Sequence, residues 1–111
     1  MIHNMRLHNS PFELIKNGTK AIELRLNDEK RQLLNIDDII VFENRSTNEI
    51  IHTRVVNLHK YNSFEELYKH FDKISLGYSE DEEANYKDME KYYLPNEQEK
   101  YGVVGIEIKL I

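Results

Sequence analysis

The segment 17–28, Asn-Gly-Thr-Lys-Ala-Ile-Glu-Leu-Arg-Leu-Asn-Asp, limits how this chain can fold more than any other. Asn17-Gly18 stops a helix, because glycine enters the left-handed conformation of a closing turn without a Cβ clash. The residues after it then alternate. Ala21, Glu23 and Arg25 share one parity, and Ile22, Leu24 and Leu26 share the other. A strand has a side-chain period of two, so the apolar set can enter a core while the charged set faces a cavity or solvent. Lys20, Glu23 and Arg25 thus lie within one short element after a tight turn.

The rest of the chain supplies partners for that strand. Met5 to His8 reads as a first strand. Ser10-Pro11-Phe12-Glu13 reads as a capped helix start, with Ser10 as cap and Glu13 completing a capping box. Asn27 to Arg31 is a charged connection. Asp37-Asp38 turns into Ile39–Phe42, an apolar run expected to be a strand covered on both faces. A polar hairpin turn over 44–49 leads into a long β-favouring run, Ile50 to Tyr61. There Ile50 and Val56 share a parity with His52 and Arg54, which predicts a bulge where the sheet curls. Phe64, Leu67, Tyr68 and Phe71 form the stripe of a short amphipathic helix behind a Ser63 cap. A third helix is expected over Glu80–Tyr93, ended by Pro95, with the acids Glu80 to Glu83 in its first turn. The last eleven residues alternate as a core strand. About five strands and three short helices make an α+β domain spanning 1–111, with the N- and C-terminal strands expected to close the sheet on itself.

Composition narrows the function. With 40% apolar and 32% charged residues, the chain is globular rather than disordered. No segment has the length and apolarity of a membrane span, and the first residues lack the apolar core of a signal peptide. The absence of cysteine excludes disulfides, thiolate metal sites and a cysteine nucleophile, and fits a cytoplasmic protein. The net charge of −5 argues against a surface that grips nucleic acid all over. Its distribution says more. Residues 63–100 hold eleven acids against five bases, whereas residues 1–31 hold six bases against four acids, leaving that third free to present a basic face.

The strongest candidate site is Lys20, Glu23 and Arg25. Glu23 and Arg25 stand two apart on one strand face, roughly 7 Å between Cβ atoms, so their side chains can meet. Such a group is either a surface ion pair or a site where a carboxylate accepts from a ligand while Arg and Lys hold an anionic group. Lys20 either escapes at the strand end or is partly buried. The five histidines show no metal-ligand spacing, so no metal or cofactor is expected, and there is no phosphate-binding glycine loop or Gly-x-Ser-x-Gly. Seven tyrosines suit interior edges or stacking platforms for bases; the spacing of Tyr86 and Tyr93 favours core, while Tyr61, Tyr78 and Tyr92 stay open.

Gly18-x-Lys20-x-x-Glu23-x-Arg25 between a helix and a strand, the turn and strand Asp38–Phe42, and the closing Tyr101-Gly102-Val103-Val104 together resemble the ASCH domain family of the PUA-like superfamily. The resemblance covers nearly the whole chain. It implies a small PUA-like β-barrel of about five or six strands, with three short flanking helices and a cleft lined by the signature strand. It also implies RNA-linked roles. This chain has Asp37-Asp38 where such domains usually read Gly-Asp, a change that aspartate's tolerance of the left-handed region permits. Certain small members resemble amidohydrolases of acylated cytidine that use a Lys, a Thr and a Glu. Lys20 matches the lysine, but Glu23 stands at the threonine position, Thr19 is not equivalent, and no residue matches the glutamate.

The resulting expectation is a domain that binds RNA or a modified nucleoside. Lys20 and Arg25 would contact phosphate or a base edge, Glu23 would accept from base or ribose, and Arg6, Lys30 and Arg31 would extend the basic rim. Two alternatives stand beside it. One is a hydrolase of an acylated nucleoside or of RNA, with Lys20 as activating base and Glu23 as proton shuttle. The other is a protein-interaction module using the acidic helix Glu80–Tyr93.

Overall fold

In the computed structural model, which describes residues 1–111, the alternating segments pair into one five-stranded sheet. The strands are β1 (Ile2–Leu7), β2 (Ile22–Leu26), β3 (Ile39–Asn44), β4 (Ile50–Tyr61) and β5 (Val103–Leu110). Their spatial order is β1-β3-β4-β5-β2; β1 and β3 are parallel and every other pair is antiparallel. The sheet curls into a half-barrel of α+β type. The terminal strands β1 and β5 do not pair with each other as expected: β2 lies beyond β5, so the two edges are β1 and β2.

The bulge predicted in β4 is present between Val55 and Asn57. Before it, Thr53 and Val55 are fully buried; after it, the opposite parity turns inward and Leu58 packs on the same core. One extra residue, Val56, therefore repairs the broken alternation and bends the strand. β3 alternates buried and half-buried residues, so only one of its faces is fully covered, not both.

Three helices flank the sheet: α1 (Asn9–Lys16), α2 (Phe64–Tyr68) and α3 (Pro95–Tyr101). α1 starts one residue before Ser10 and no side chain caps it. Its end follows the prediction. Gly18, at φ +84°, donates to Ile15 O and Thr19 to Leu14 O, the paired bonds of a Schellman turn. α2 is capped by Ser63 as expected, but stops at Tyr68. The helix expected over Glu80–Tyr93 does not form. Residues 79–85 are exposed and hold no large apolar side chain to bury, and their like charges sit close. Lys73 Nζ instead gathers the carbonyls of Glu80 and Glu82 at 2.8 and 2.6 Å, and only a 3-10 turn, Tyr86–Lys91, follows. Pro95 begins α3 rather than ending a helix. Its missing N–H is one that a first-turn residue leaves unpaired anyway, and Glu97 Oε1 accepts from Leu94 N at 2.9 Å.

Two cores result. The concave face encloses Phe12, Ile40, Phe42, Val55, Val104 and Ile106; the opposite face of β2 and β5 packs Ile22, Leu24, Leu26 and Val103 against Phe64 and Leu67 of α2. Phe12, Phe42 and Phe64 are wholly buried. Each contributes about 1.5–3 kcal/mol through burial.

Candidate functional site

β2 pairs with β5 so that Glu23 faces Ile106 and Arg25 faces Val104. Directly opposed residues share a sheet face. Val104 and Ile106 belong to the concave core, so the charged parity of β2 points into the half-barrel and the apolar parity points outward under α2. Glu23 is only 4% exposed. A carboxylate there requires compensation, and two cations supply it: Lys20 Nζ lies 3.1 Å from Oε1, and Arg25 Nε donates to Oε2 at 2.9 Å. Burial pushes the Glu23 carboxyl upward, but the charges of Lys20 and Arg25 outweigh it and hold the group below its ordinary range. It is ionised at neutral pH.

Lys20 does not escape to solvent; it is 9% exposed. Its stem lies across Gly77, where an added Cβ would sit 3.1 Å from Lys20 Cδ and where φ is +105°. The backbone angle therefore favours glycine at 77, and any side chain there would also press on the Lys20 stem. Arg25 Nη2 donates to Arg6 O at 3.2 Å, so this arginine links the two sheet edges, β2 and β1.

These three residues line a cavity of about 560 Å³ together with Arg6, Arg45, Tyr68, Tyr78, Tyr92, Tyr93 and Asp88. Tyr68 donates to Tyr78 across 3.0 Å, and Tyr78 donates to Asp88 Oδ2 at 2.8 Å, which joins the tyrosine wall to the 3-10 turn. Burial holds the hydroxyls of Tyr68, Tyr78 and Tyr93 above their ordinary range, so they are neutral phenols with apolar faces. A larger hollow of about 870 Å³ lies elsewhere, beside Tyr61, Tyr86 and Tyr101. Its buried polar group, Gln98, is occupied in accepting from Phe64 N and donating to Tyr93 O, so volume alone does not mark the site. No three His, Asp or Glu side chains stand together as a metal-ligand group.

Of the residues singled out in the sequence, Lys20, Glu23, Arg25 and Arg6 meet in the 560 Å³ cavity. Lys30 and Arg31 line an adjoining one of about 440 Å³, which shares Arg6, Arg25 and Arg45 with the first. Arg45 and Tyr68 were invisible as site residues: one sits in a polar hairpin turn, and the other belongs to an ordinary helical stripe. Tyr93 reads as core from its spacing, and it does pack on the outer core, but another part of it lines the cavity. A side chain at the end of a buried stripe can serve both.

The model of the ASCH domain matches residues 5–111. The chain belongs to the ASCH domain family. Among solved structures it is 33% identical to the hypothetical protein PH0355, with full coverage of both chains and a TM-score of 0.80. It is equally 33% identical to protein PF0455 from Pyrococcus furiosus, covering 100% of this chain and 98% of that one at a TM-score of 0.72. An ASCH protein from Zymomonas mobilis shares the fold at 13% identity, with a TM-score of 0.67 over 97% of this chain and 67% of the other. No curated protein matches. Within this ASCH fold no helix is long and apolar enough to cross a membrane.

Proposed function

We propose that this ASCH domain binds a nucleoside, free or at the end of single-stranded RNA, in the cavity at the mouth of the half-barrel. The observation that carries the reading is the ion triad Lys20–Glu23–Arg25, held almost out of water in a tyrosine-walled cavity of about 560 Å³. That volume suits a small organic ligand, and fixed charges beside aromatic faces suit a base with polar edges. Membership of a family that is generally RNA-binding supports it. Lys20 and Arg25 supply donors, Glu23 orients both, and the tyrosines offer stacking faces.

Hydrolysis of an acylated nucleoside or of RNA is the weaker reading. Both oxygens of Glu23 are engaged by cations and its carboxyl lies below the ordinary range, so at neutral pH it has no proton to shuttle. The protein-interaction reading loses its basis with the acidic helix, which does not form.

The test is calorimetric titration at low salt with the four ribonucleosides, N-acylated cytidine and short single-stranded RNAs, followed by chromatography of the mixtures. Saturable binding weakened about tenfold or more by Arg25→Gln is expected. Absence of binding by every ligand would sink the proposal, and ligand conversion abolished by Lys20→Met would replace binding with turnover.

A further inference from the structure

The second cavity concentrates positive charge beyond what the ion triad needs. Arg6, Arg25, Lys30, Arg31 and Arg45 line it against a single carboxylate, Glu43, in a chain whose net charge is −5. Internal pairing does not use that charge up. Arg6 and Glu43 make a loose, largely exposed contact at 3.6 Å, and neither Lys30 nor Arg45 forms an ion pair. Arg25 spends Nε on Glu23 and Nη2 on Arg6 O, and the Tyr93 hydroxyl lies beside the same guanidinium.

Arg31 is the most telling of the five. Its side chain is 15% exposed, steadied by Asp28 Oδ2 at 3.7 Å, and its Nε is enclosed without any hydrogen-bond partner. Enclosed guanidinium donors are rarely left unpaired, because desolvation without a partner is costly. Clustered arginines with free forks are suited to the tetrahedral oxygens of a phosphate ester. Arg6, Arg25 and Arg45 line both cavities, so an anion held here is continuous with a ligand over the triad.

We propose that the cavity lined by Arg6, Arg25, Lys30, Arg31 and Arg45 is a phosphate subsite joined to the nucleoside cavity, so that this chain selects phosphorylated nucleosides over free ones. The inference rests on the nucleoside reading above. The ligand it specifies is a phosphate ester carried on a nucleoside, whether a mononucleotide or the terminal phosphodiester of an RNA. Binding of a phosphorylated ligand therefore weakens as salt rises, by counterion release on an RNA end and by ordinary ionic screening on a mononucleotide, while free nucleoside binding stays nearly salt-independent.

The experiment titrates wild-type protein with each ribonucleoside, its 5′- and 3′-monophosphates, a dinucleoside phosphate and inorganic phosphate. Monophosphates are expected to bind about tenfold or more tighter than the matching nucleoside. In Lys30→Gln/Arg31→Gln the monophosphate is expected to fall to the affinity of the nucleoside on the same variant. Arg45→Gln, at an exposed turn, tests the same point without touching a buried residue, and is expected to reduce the ratio several-fold. Dinucleoside phosphate outbinding the mononucleotides assigns the site to an RNA end, and the reverse order assigns it to free nucleotide. Equal affinity for nucleoside and monophosphate overturns the phosphate subsite while leaving the nucleoside reading intact. Inorganic phosphate binding as tightly as the nucleotides also overturns it, reducing the cavity to an anion site. Failure of every nucleoside and nucleotide to bind overturns both readings.

Discussion

Glu23 is the residue on which the arrangement turns. Removing its charge while keeping its shape leaves Lys20 and Arg25 buried and uncompensated. Glu23→Gln is therefore expected to destabilise the fold by about 3–5 kcal/mol in urea unfolding, the range for breaking a buried pair from one side. Replacing all three members with apolar side chains, Lys20→Met/Glu23→Leu/Arg25→Met, removes the desolvation cost together with the attraction. It is expected to restore most of that stability while abolishing ligand binding. A triple variant no more stable than Glu23→Gln would show that the triad is held for folding rather than for a ligand. The alternation of β2 made Glu23 and Arg25 legible in the sequence, and Lys20 stood out by its place in the Gly18-x-Lys20-x-x-Glu23-x-Arg25 pattern. Their burial was not, since Glu23 and Arg25 look the same on paper whether they face water or the half-barrel.

Among the elements, turns were easier to read than helices. Gly18 closes α1 and the β4 bulge falls where the parity breaks, because each is a local steric requirement written in one or two residues. Asp37 shows the same logic with a cost attached. It stands at φ +77°, the left-handed region anticipated for the Asp37-Asp38 turn. An L-residue pays roughly 1 kcal/mol there, part of which glycine recovers after its larger unfolded-state entropy is charged. Asp37→Gly is expected to stabilise the protein by about 0.5 kcal/mol, read as a small rise in Tm; a fall in Tm would mean that the Asp37 side chain contributes more than its backbone costs. The helix over Glu80–Tyr93 failed as a reading for the opposite reason. Capping signals and spaced aromatics permit a helix, but a helix without a continuous apolar face has little to hold it. Tyr86 and Met89 pack on the outer core from a 3-10 turn instead, and Tyr93 does so just after it.

For the whole molecule, acid stability depends on two buried carboxylates at opposite ends of the sheet. Asp38 accepts from His3 Nε2 at 2.8 Å, from Asn35 N at 3.0 Å and from the N-terminal ammonium at 3.2 Å. The His3 hydrogen bond, then that from Asn35, holds its carboxyl down at about 2, against an ordinary value of 3.8. A depressed folded-state pKa gives stability that is complete above the unfolded value and lost as pH falls through the folded one. Asp38 therefore contributes fully above about pH 4 and loses its contribution toward pH 2, and Glu23, held below 4.5, adds to the same acid limb. Thermal melts across pH 2–6 are expected to show a steep acid limb in the wild type and a shallower one in Asp38→Asn. Equal slopes would remove Asp38 from the account. By itself, the sequence determined the strands, the bulge, the tight turns and the family, since period and backbone sterics act over a few neighbouring residues. Only the tertiary structure decided that the charged face of β2 points inward. That depends on its register with β5 and on α2 covering the other face, contacts between residues about eighty positions and forty positions apart that no local pattern encodes.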